Sequence, residues 1–263
     1  MRTRFFVPIL AATGIFAFSP FISAQTPEKP AAAKTSTTKT TQALDPHDLS
    51  GIWTGPYEES IIPNKILTPW ALAKFNSQKT ERKVGDRPII YDGEKENTDP
   101  LVKGCDPPGV PRVYYHPRPF EIIQIPGRLI FHYELYNTFR EIWTDGREIP
   151  KDPDPTWNGY SVGHWEGNTL VVDTVGFNGK TWLDNAGHPV SEAMHLTERF
   201  RRIDRDHMAI DYTFQDPKAL TEPFTYKKIY TDHPDWEITE YFCTMEEMQE
   251  FFKHVMQPAG KGQ

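Results

Sequence analysis

Imidazole, carboxylate and indole groups are concentrated in one polar insert of this sequence, Asn178 to Met194, and at the start of the apolar segment that follows it. Connections between strands are usually a few residues long, so an ordered insert of this composition favours a functional loop over a plain turn. An imidazole within hydrogen-bond reach of a carboxylate provides an acid and a base near neutral pH. The candidate catalytic residues are therefore His195, His188, Asp184 and Glu198.

Two other interpretations of the insert stay open. Two histidines and a carboxylate could bind a divalent metal, but the sequence contains neither an H-E-x-x-H motif nor two histidines spaced i, i+4, so no metal is predicted. The same side chains could form hydrogen bonds that only stabilise the loop. A serine nucleophile is less favoured, because Ser161 and Ser191 lie outside any G-x-S-x-G elbow.

Candidate substrate-binding residues lie beside the insert and in neighbouring apolar segments. Arg140 precedes Trp143 in one segment, and an arginine beside aromatic rings either pairs with a buried carboxylate or binds an anionic ligand. The alternative for Arg140 is a surface pair with Glu134 or Glu141. Asp173 interrupts the apolar run LVVDTV, where a carboxylate must be hydrogen-bonded or functional. The predicted substrate-binding set is Arg140, Glu134, Tyr136, Trp143, Trp182 and Asp173.

Period-two alternation of apolar and polar residues predicts the strands that must position these groups. About ten sequential strands are expected, and closure into a lipocalin-like, up-and-down antiparallel β-barrel would remove their exposed edges. The predicted strands are Gly51–Tyr57, Phe120–Ile125, Arg128–Tyr136, Phe139–Asp145, Tyr160–Glu166, Thr169–Gly176, His195–Ile203, Met208–Gln215, Phe224–Thr231 and Trp236–Cys243.

Alternation does not decide which face of a strand points into the barrel. In the segment after Pro126-Gly127, either Leu129, Phe131 and Tyr133 or Ile130, His132 and Glu134 would point inward. Helical signal is sparse: Pro69–Ser77 predicts a short helix and Thr244–Met256 a C-terminal helix. Gln78–Arg112 is expected to be a long excursion packed on the barrel.

The N-terminus has the pattern of an export signal. Residues 1–24 combine a basic start, an apolar core and a small-residue cleavage site, so they predict a signal peptide and a periplasmic or secreted protein without a stable membrane anchor after cleavage. The alternative is a transmembrane anchor, which the shortness of the apolar run disfavours. Residues 25–44, rich in Thr, Lys, Ala and Pro, predict a flexible linker. Residues 45–263 then form a single β-barrel domain.

The two cysteines, Cys105 and Cys243, are predicted to form a disulfide, because export places them in an oxidising compartment. The alternative is two separate buried thiols. Neither belongs to a C-x-x-C motif, so redox catalysis and thiolate zinc sites are poorly supported.

Net charge and aromatic content indicate which classes of partner the protein could bind. The net charge is -7 with both signs interleaved along the chain, which argues against nucleic acid. Aromatic residues make up 13% of the sequence, and a subset lining a cavity would suit a flat aromatic ligand. No glycine fingerprint for a nucleotide is present, and no cofactor is predicted. Homo-oligomerisation stays open.

Several segments carry a resemblance to a known family. Gly51-Ile52-Trp53 is similar to the G-x-W start of lipocalin-like barrels, with an ordinary core tryptophan as the alternative. A wider set resembles a large, mostly uncharacterised family of exported bacterial proteins. Related exported proteins include lyases for lignin-derived phenolic dimers, so the resemblance favours lyase chemistry. The segments are CDPPGVPR, PFEIIQIPGRLIFHYE, FREIWTDGR, DPTWNGYSVGHWEGNTLVVDTVGF, KTWLDNAGHPVSEAMHLTERFRR and PDWEITEYFC.

These observations together favour a cofactor-independent acid/base enzyme, most consistent with a lyase, that acts on a small aromatic or lignin-derived phenolic compound. In this hypothesis His195 or His188 transfers the proton, Asp184 or Glu198 orients the imidazole, and Arg140 with Glu134 positions the substrate. The alternative is a non-catalytic periplasmic binding protein for an apolar or aromatic ligand, with a barrel lined by Leu129, Phe131, Tyr133, Trp143 and Tyr212 and with the histidines of the insert in solvent. A metal-dependent hydrolase is a third hypothesis.

Overall fold

The computed structural model describes residues 44–58, 61–78 and 98–246. The predicted signal peptide, nearly all of the predicted linker and the part of the predicted C-terminal helix beyond Glu246 lie outside the described residues. So does much of the predicted excursion, residues 79–97. Over the described part of the chain, none of the helices combines the length and the apolar character needed to cross a membrane.

Nine strands form a closed barrel in which each strand pairs with the next and the last pairs with the first. Most inward residues are apolar or aromatic and most outward residues are polar, which is why the period-two signal was strong. The β-barrel prediction is confirmed. The strands are β1 (Gly51–Thr54), β2 (Phe120–Ile125), β3 (Arg128–Tyr133), β4 (Thr138–Trp143), β5 (Tyr160–Glu166), β6 (Thr169–Val175), β7 (His195–Arg202), β8 (His207–Gln215) and β9 (Phe224–Asp232).

The barrel is mixed rather than purely antiparallel, which corrects the expected topology. β4 and β5 run parallel and share two paired positions, Ile142 with Ser161 and Trp143 with Val162. A parallel pair needs a crossover instead of a tight hairpin. The proline-containing connection 144–159 supplies it. Alternation reveals that a segment is a strand but carries no information on its direction.

The predicted tenth strand, Trp236–Cys243, does not form. β9 already closes the barrel by pairing with β1, through Trp53 with Asp232 and Thr54 with Thr231, so no strand edge remains for it. Residues 236–243 instead run along the surface. The predicted first strand also ends early, at Thr54, and Leu135–Asn137 forms a 3-10 helix rather than the end of a strand.

Short helices connect the strands. The predicted helix Pro69–Ser77 is confirmed as α1, with Thr68 as its N-cap: the Thr68 hydroxyl accepts a hydrogen bond from the Ala71 amide at 3.2 Å. A second short helix, α2, spans Pro100–Lys103. Further 3-10 helices span Asn64–Ile66 and Arg112–Tyr115.

Aromatic side chains fill the interior of the barrel. Leu129, Phe131 and Tyr133 are buried while the alternate residues of β3 are half-exposed, which decides the face of that strand. The helix Arg112–Tyr115 adds two fully buried rings from outside the sheet. One of them, the Tyr114 ring, lies within 6.5 Å of five other aromatic rings, those of Phe120, Phe131, Tyr133, Tyr212 and Tyr230.

The predicted disulfide between Cys105 and Cys243 is present, with the two Cα atoms 5.5 Å apart. It joins the segment before the helix Arg112–Tyr115 to the segment that follows β9. These two segments are 138 residues apart in sequence, so the crosslink restricts the unfolded chain strongly.

Candidate functional site

A buried ion pair, Arg140 with Glu198, lies in the barrel interior. Arg140 Nη1 donates to Glu198 Oε1 at 3.0 Å, and Arg140 Nη2 donates to Glu198 Oε2. The same guanidinium donates to the hydroxyls of Tyr114, Ser161 and Thr174 at 2.9 to 3.1 Å. Both charged side chains are almost completely buried. The surface pair considered for Arg140 is therefore wrong, and the buried carboxylate is the correct alternative.

The electrostatics of this interior keep its tyrosines neutral and Arg140 charged. Burial raises the pKa of Tyr114, Tyr212 and Tyr230 well above the ordinary tyrosine value. Burial alone lowers the pKa of Arg140, but Glu198 and the neighbouring tyrosines outweigh this effect and the net shift is upward. Neutral tyrosines and a permanently charged arginine do not exchange protons near neutral pH. The role that this interior set supports is structural, because the loss of either member of the ion pair would leave a buried charge without its partner.

Asp184 and His188 form a second buried pair inside the insert. His188 Nδ1 lies 2.7 Å from Asp184 Oδ2, and its Nε2 lies 2.9 Å from Asn64 Oδ1. The ring stacks on Phe75 of α1 with centroids 4.3 Å apart. The side chains of Asp184 and His188 are 0% and 1% exposed. This pair links the insert to residues 61–75 and has no open face toward solvent.

His195 and Asp173 form a third pair, on the outer face of the barrel. His195 Nε2 lies 2.9 Å from Asp173 Oδ1, and the Thr197 hydroxyl donates to the same oxygen at 2.8 Å. The side chains of His195 and Asp173 are 39% and 35% exposed. Because a carboxylate only accepts, this contact requires Nε2 to be the donor, and the neutral tautomer that donates from Nε2 has its lone pair on Nδ1. The imidazole is therefore oriented and still reachable.

The four predicted catalytic residues do not converge. Glu198 points into the barrel, and Asp184 and His188 are buried in the insert. His195 faces outward, on the same side of β7 as Thr197. Strand alternation explains the split between His195 and Glu198, since residues of opposite parity on one strand lie on opposite faces. Asp173, expected to bind substrate, is the carboxylate that orients His195.

The remaining predicted substrate-binding residues occupy separate places. Glu134 is buried and accepts hydrogen bonds from Arg118 and Thr239. Tyr136 donates to the Leu101 carbonyl at 2.8 Å. Trp182 is buried in the insert, with the guanidinium of Arg112 4.9 Å from its ring. These contacts hold the segments outside the barrel in place.

Trp143 lies on the outer face and not in the barrel lining that the binding-protein hypothesis expects. Its ring has the guanidinium of Arg147 at 3.6 Å and that of Arg128 at 5.2 Å. The other four expected lining residues, Leu129, Phe131, Tyr133 and Tyr212, are buried.

A cavity of about 470 Å³ opens where β4 and β5 diverge, and we call it the seam cavity. The strands separate there because only two positions pair, and the Asn158 side chain spans the gap by donating to the Phe139 carbonyl at 2.9 Å. The volume is within the range of small-molecule sites. The lining residues are Phe139, Arg140, Glu141, Trp143, Arg147, Thr156, Asn158, Gly159, Tyr160 and Ser161.

The seam cavity and the His195–Asp173 pair belong to one outward surface, which we call the outer platform. Cross-strand neighbours share a face, so the strand register defines two rows across β4 to β7. The first row is Trp143, Val162, Asp173 and Thr197. The second row is Tyr160, Val175 and His195. His195 belongs to this row because Leu196 pairs with Thr174, and the next position along the two antiparallel strands places His195 opposite Val175.

Sequence reasoning selected Arg140 and Trp143, which line the seam cavity, but missed Arg147, Asn158 and Tyr160. Tyr160 was predicted only as the start of a strand. Their meeting depends on the parallel crossover, for which no local pattern exists. Tyr114 was missed as well, because the segment that carries it has no periodicity. The sequence signal that pointed to an interior polar set was Arg140, because a buried arginine needs hydrogen-bond partners.

Among the described residues, no three histidine, cysteine, aspartate or glutamate side chains are grouped closely enough to hold a metal ion. No family model, curated protein or solved structure matches this chain.

Proposed function

We propose that this protein is an exported acid/base enzyme, in the lyase class, that acts on a small aromatic or phenolic compound at the outer platform. The single observation that carries the proposal is the His195–Asp173 pair. Of the predicted catalytic histidines, His195 is the one that combines a carboxylate at hydrogen-bond distance with an exposed ring.

His195 would act as the base through Nδ1. Asp173 fixes the orientation of the ring and stabilises the imidazolium that forms when Nδ1 takes a proton. Thr197 holds the carboxylate by donating to the oxygen that also faces His195. A phenol or alcohol proton is the natural target, since its removal supplies the electrons that expel a leaving group. The imidazolium then gives this proton to the departing group, which leaves as a neutral molecule and restores the base.

The surroundings of the pair support an aromatic substrate. Val162 and Val175 are half-buried and continue the surface from Asp173 and His195 toward Trp143 and Tyr160. An apolar floor beside aromatic rings suits a flat, weakly polar molecule. The disulfide Cys105–Cys243 supports the export part of the proposal, because such bonds persist in oxidising compartments.

Incubation with a panel of phenolic monomers and dimers, read by mass spectrometry, tests the proposal. Wild-type protein should convert at least one compound, and His195→Gln should lower its turnover by about 10²- to 10⁴-fold, the usual contribution of a positioned acid or base. The stability of the variant should change by no more than about 0.5 kcal/mol, since the ring is partly exposed.

His207→Gln is the matched control. His207 also faces an aspartate, Asp204, with Nδ1 2.9 Å from Oδ1 and a similar exposure, but it is the first residue of β8, at the end of the barrel where β7 turns into β8. Its turnover should equal that of the wild type. Equal losses in the two variants, or none in either, would remove His195 from the mechanism.

The second candidate function is a non-catalytic binding protein for an aromatic ligand. The seam cavity favours it, because none of its ten lining residues is a histidine. A compound that is bound tightly and recovered unchanged under all conditions would support this function over the enzyme.

A further inference from the structure

An open groove of about 770 Å³ lies between the loop before β2 and the segment that follows β9, and we call it the tryptophan groove. Hydrogen bonds fix the segment in place: Thr239 donates to Glu134 Oε2 through its amide at 3.2 Å and through its hydroxyl at 2.8 Å. The disulfide at Cys243 anchors the same segment further along the chain. The groove is therefore preformed. Its lining residues, none of which belongs to the outer platform, are Pro117, Arg118, Pro119, Glu134, Asp235, Trp236, Glu237 and Thr239.

Trp236 presents an aromatic face to this groove. The residue is 49% exposed, and one face of its indole stacks on the imidazole of His233 with centroids 3.9 Å apart. The imidazole is fixed in turn, because its Nε2 lies 2.7 Å from the hydroxyl oxygen of Thr54. In the described part of the chain, no second ring and no cation stacks on the indole. The ring is thus held from one side and available to a ligand from the other.

The charged side chains of the groove are mostly acidic. Three of its lining residues are carboxylates and one is a guanidinium. Arg118 pairs with Glu134, with Nη1 3.0 Å from Oε1. Asp235 and Glu237, which flank the indole in sequence, are exposed and form no ion pair with any described residue. Two unbalanced carboxylates beside an aromatic face attract cations to that face.

One cation of the protein itself is already held in this way at the edge of the groove. The guanidinium of Arg118 lies 4.3 Å from the centre of the Tyr241 ring while it donates to Glu134. An aromatic face and a carboxylate together hold the positive charge. The exposed indole and its two flanking carboxylates offer the same two elements, and the described residues supply no cation to them.

We propose that the tryptophan groove binds a small organic cation of the substituted-ammonium class against the indole of Trp236. A cation over an aromatic face is attracted by the ring quadrupole, and tryptophan attracts it most strongly. A hard metal ion instead needs several converging oxygen ligands. Within the described ranges, no three histidine, cysteine or acidic side chains are grouped closely enough to supply them. This site is independent of the acid/base chemistry proposed for His195.

Choline and 3,3-dimethylbutan-1-ol test the proposal, because the two compounds share a shape and differ in charge. Titration calorimetry of the purified protein should show saturable binding of choline, at least about tenfold tighter than that of the neutral alcohol and weaker at high salt. Trp236→Ala should lower the affinity for choline by about tenfold, whereas Trp236→Phe, which keeps an aromatic face, should retain most of it. The double variant Asp235→Asn, Glu237→Gln should lower the affinity by about fivefold.

Glu240→Gln and Phe242→Ala are the matched controls. Both residues are exposed on the same segment and lie outside the groove lining, so choline affinity should equal that of the wild type. Equal affinities for choline and the neutral alcohol would show that the site does not recognise charge. Choline binding that survives Trp236→Ala, or that falls equally in the controls, would show that the indole is not the site. Either result, or a lack of saturable choline binding, overturns the proposal.

Discussion

The Arg140–Glu198 pair and the His195–Asp173 pair lie back to back on the same barrel wall, and they use acid and base groups in opposite ways. The interior pair is almost completely buried and surrounded by hydroxyls, so it has no surface that a substrate could contact. The side chains of the outer pair are more than a third exposed, and the contact with Asp173 uses only one of the two imidazole nitrogens. The difference teaches that hydrogen bonding alone does not identify a catalytic pair. Access to a substrate must accompany it.

The largest expected effect breaks the interior pair. Glu198→Ala leaves the Arg140 guanidinium buried without its carboxylate, and the free energy of unfolding should fall by roughly 3 to 5 kcal/mol. Denaturant unfolding measures it. The control is Glu166→Ala, which removes an exposed carboxylate paired with Arg199 and should change stability by less than about 1 kcal/mol. A small effect for Glu198→Ala would mean that the interior pair does not stabilise the barrel.

A smaller effect concerns Lys228, another buried cation of the interior. Burial lowers the pKa of Lys228 to about 8, although its ammonium group donates to the carbonyls of Pro56 and Tyr114. The unfolded value is about 10.4, so between these two pH values the unfolded chain binds more protons and stability rises with pH. From pH 8 to 9.5 the rise should be at most about 2 kcal/mol.

Lys228→Met should remove this rise, which denaturant unfolding at the two pH values detects. Above about pH 10 the buried tyrosines act in the opposite direction, because their pKa is raised in the folded state and the unfolded chain loses its protons first. The measurement therefore stays below pH 10. An equal slope in Lys228→Met and wild type would show that Lys228 is not the titrating group.

Much of the barrel could be predicted from sequence because alternation is a local signal. All nine strands begin within one residue of their predicted start, among them β2, β5 and β9. The helix Pro69–Ser77 was also correct, since Thr68 and the proline that follows it form a recognisable N-terminus. The direction of β5 and the fate of Trp236–Cys243 depend on which edges are already paired, a property of the closed sheet and not of any segment.

The site was predictable only in part for a related reason. Residue types identified His195 and Asp173 as unusual, but their pairing depends on the register of β6 with β7. The insert attracted the prediction because polar groups are dense there. In the fold those groups form hydrogen bonds with one another, as Asp184 and His188 do, and attach the insert to the barrel. A dense polar loop therefore serves packing as readily as chemistry.

The most direct test of the account is a magnetic resonance titration that follows the imidazole ring signals of the folded protein while a phenolic compound that the wild-type protein converts is added. Assignment comes from His188→Gln, His195→Gln and His207→Gln, each of which removes one signal. The account predicts that the His195 signal shifts in proportion to occupancy and that the His188 and His207 signals stay in place. A shift confined to His188, or saturable binding that leaves His195 unmoved, would contradict the claim that chemistry occurs on the outer platform.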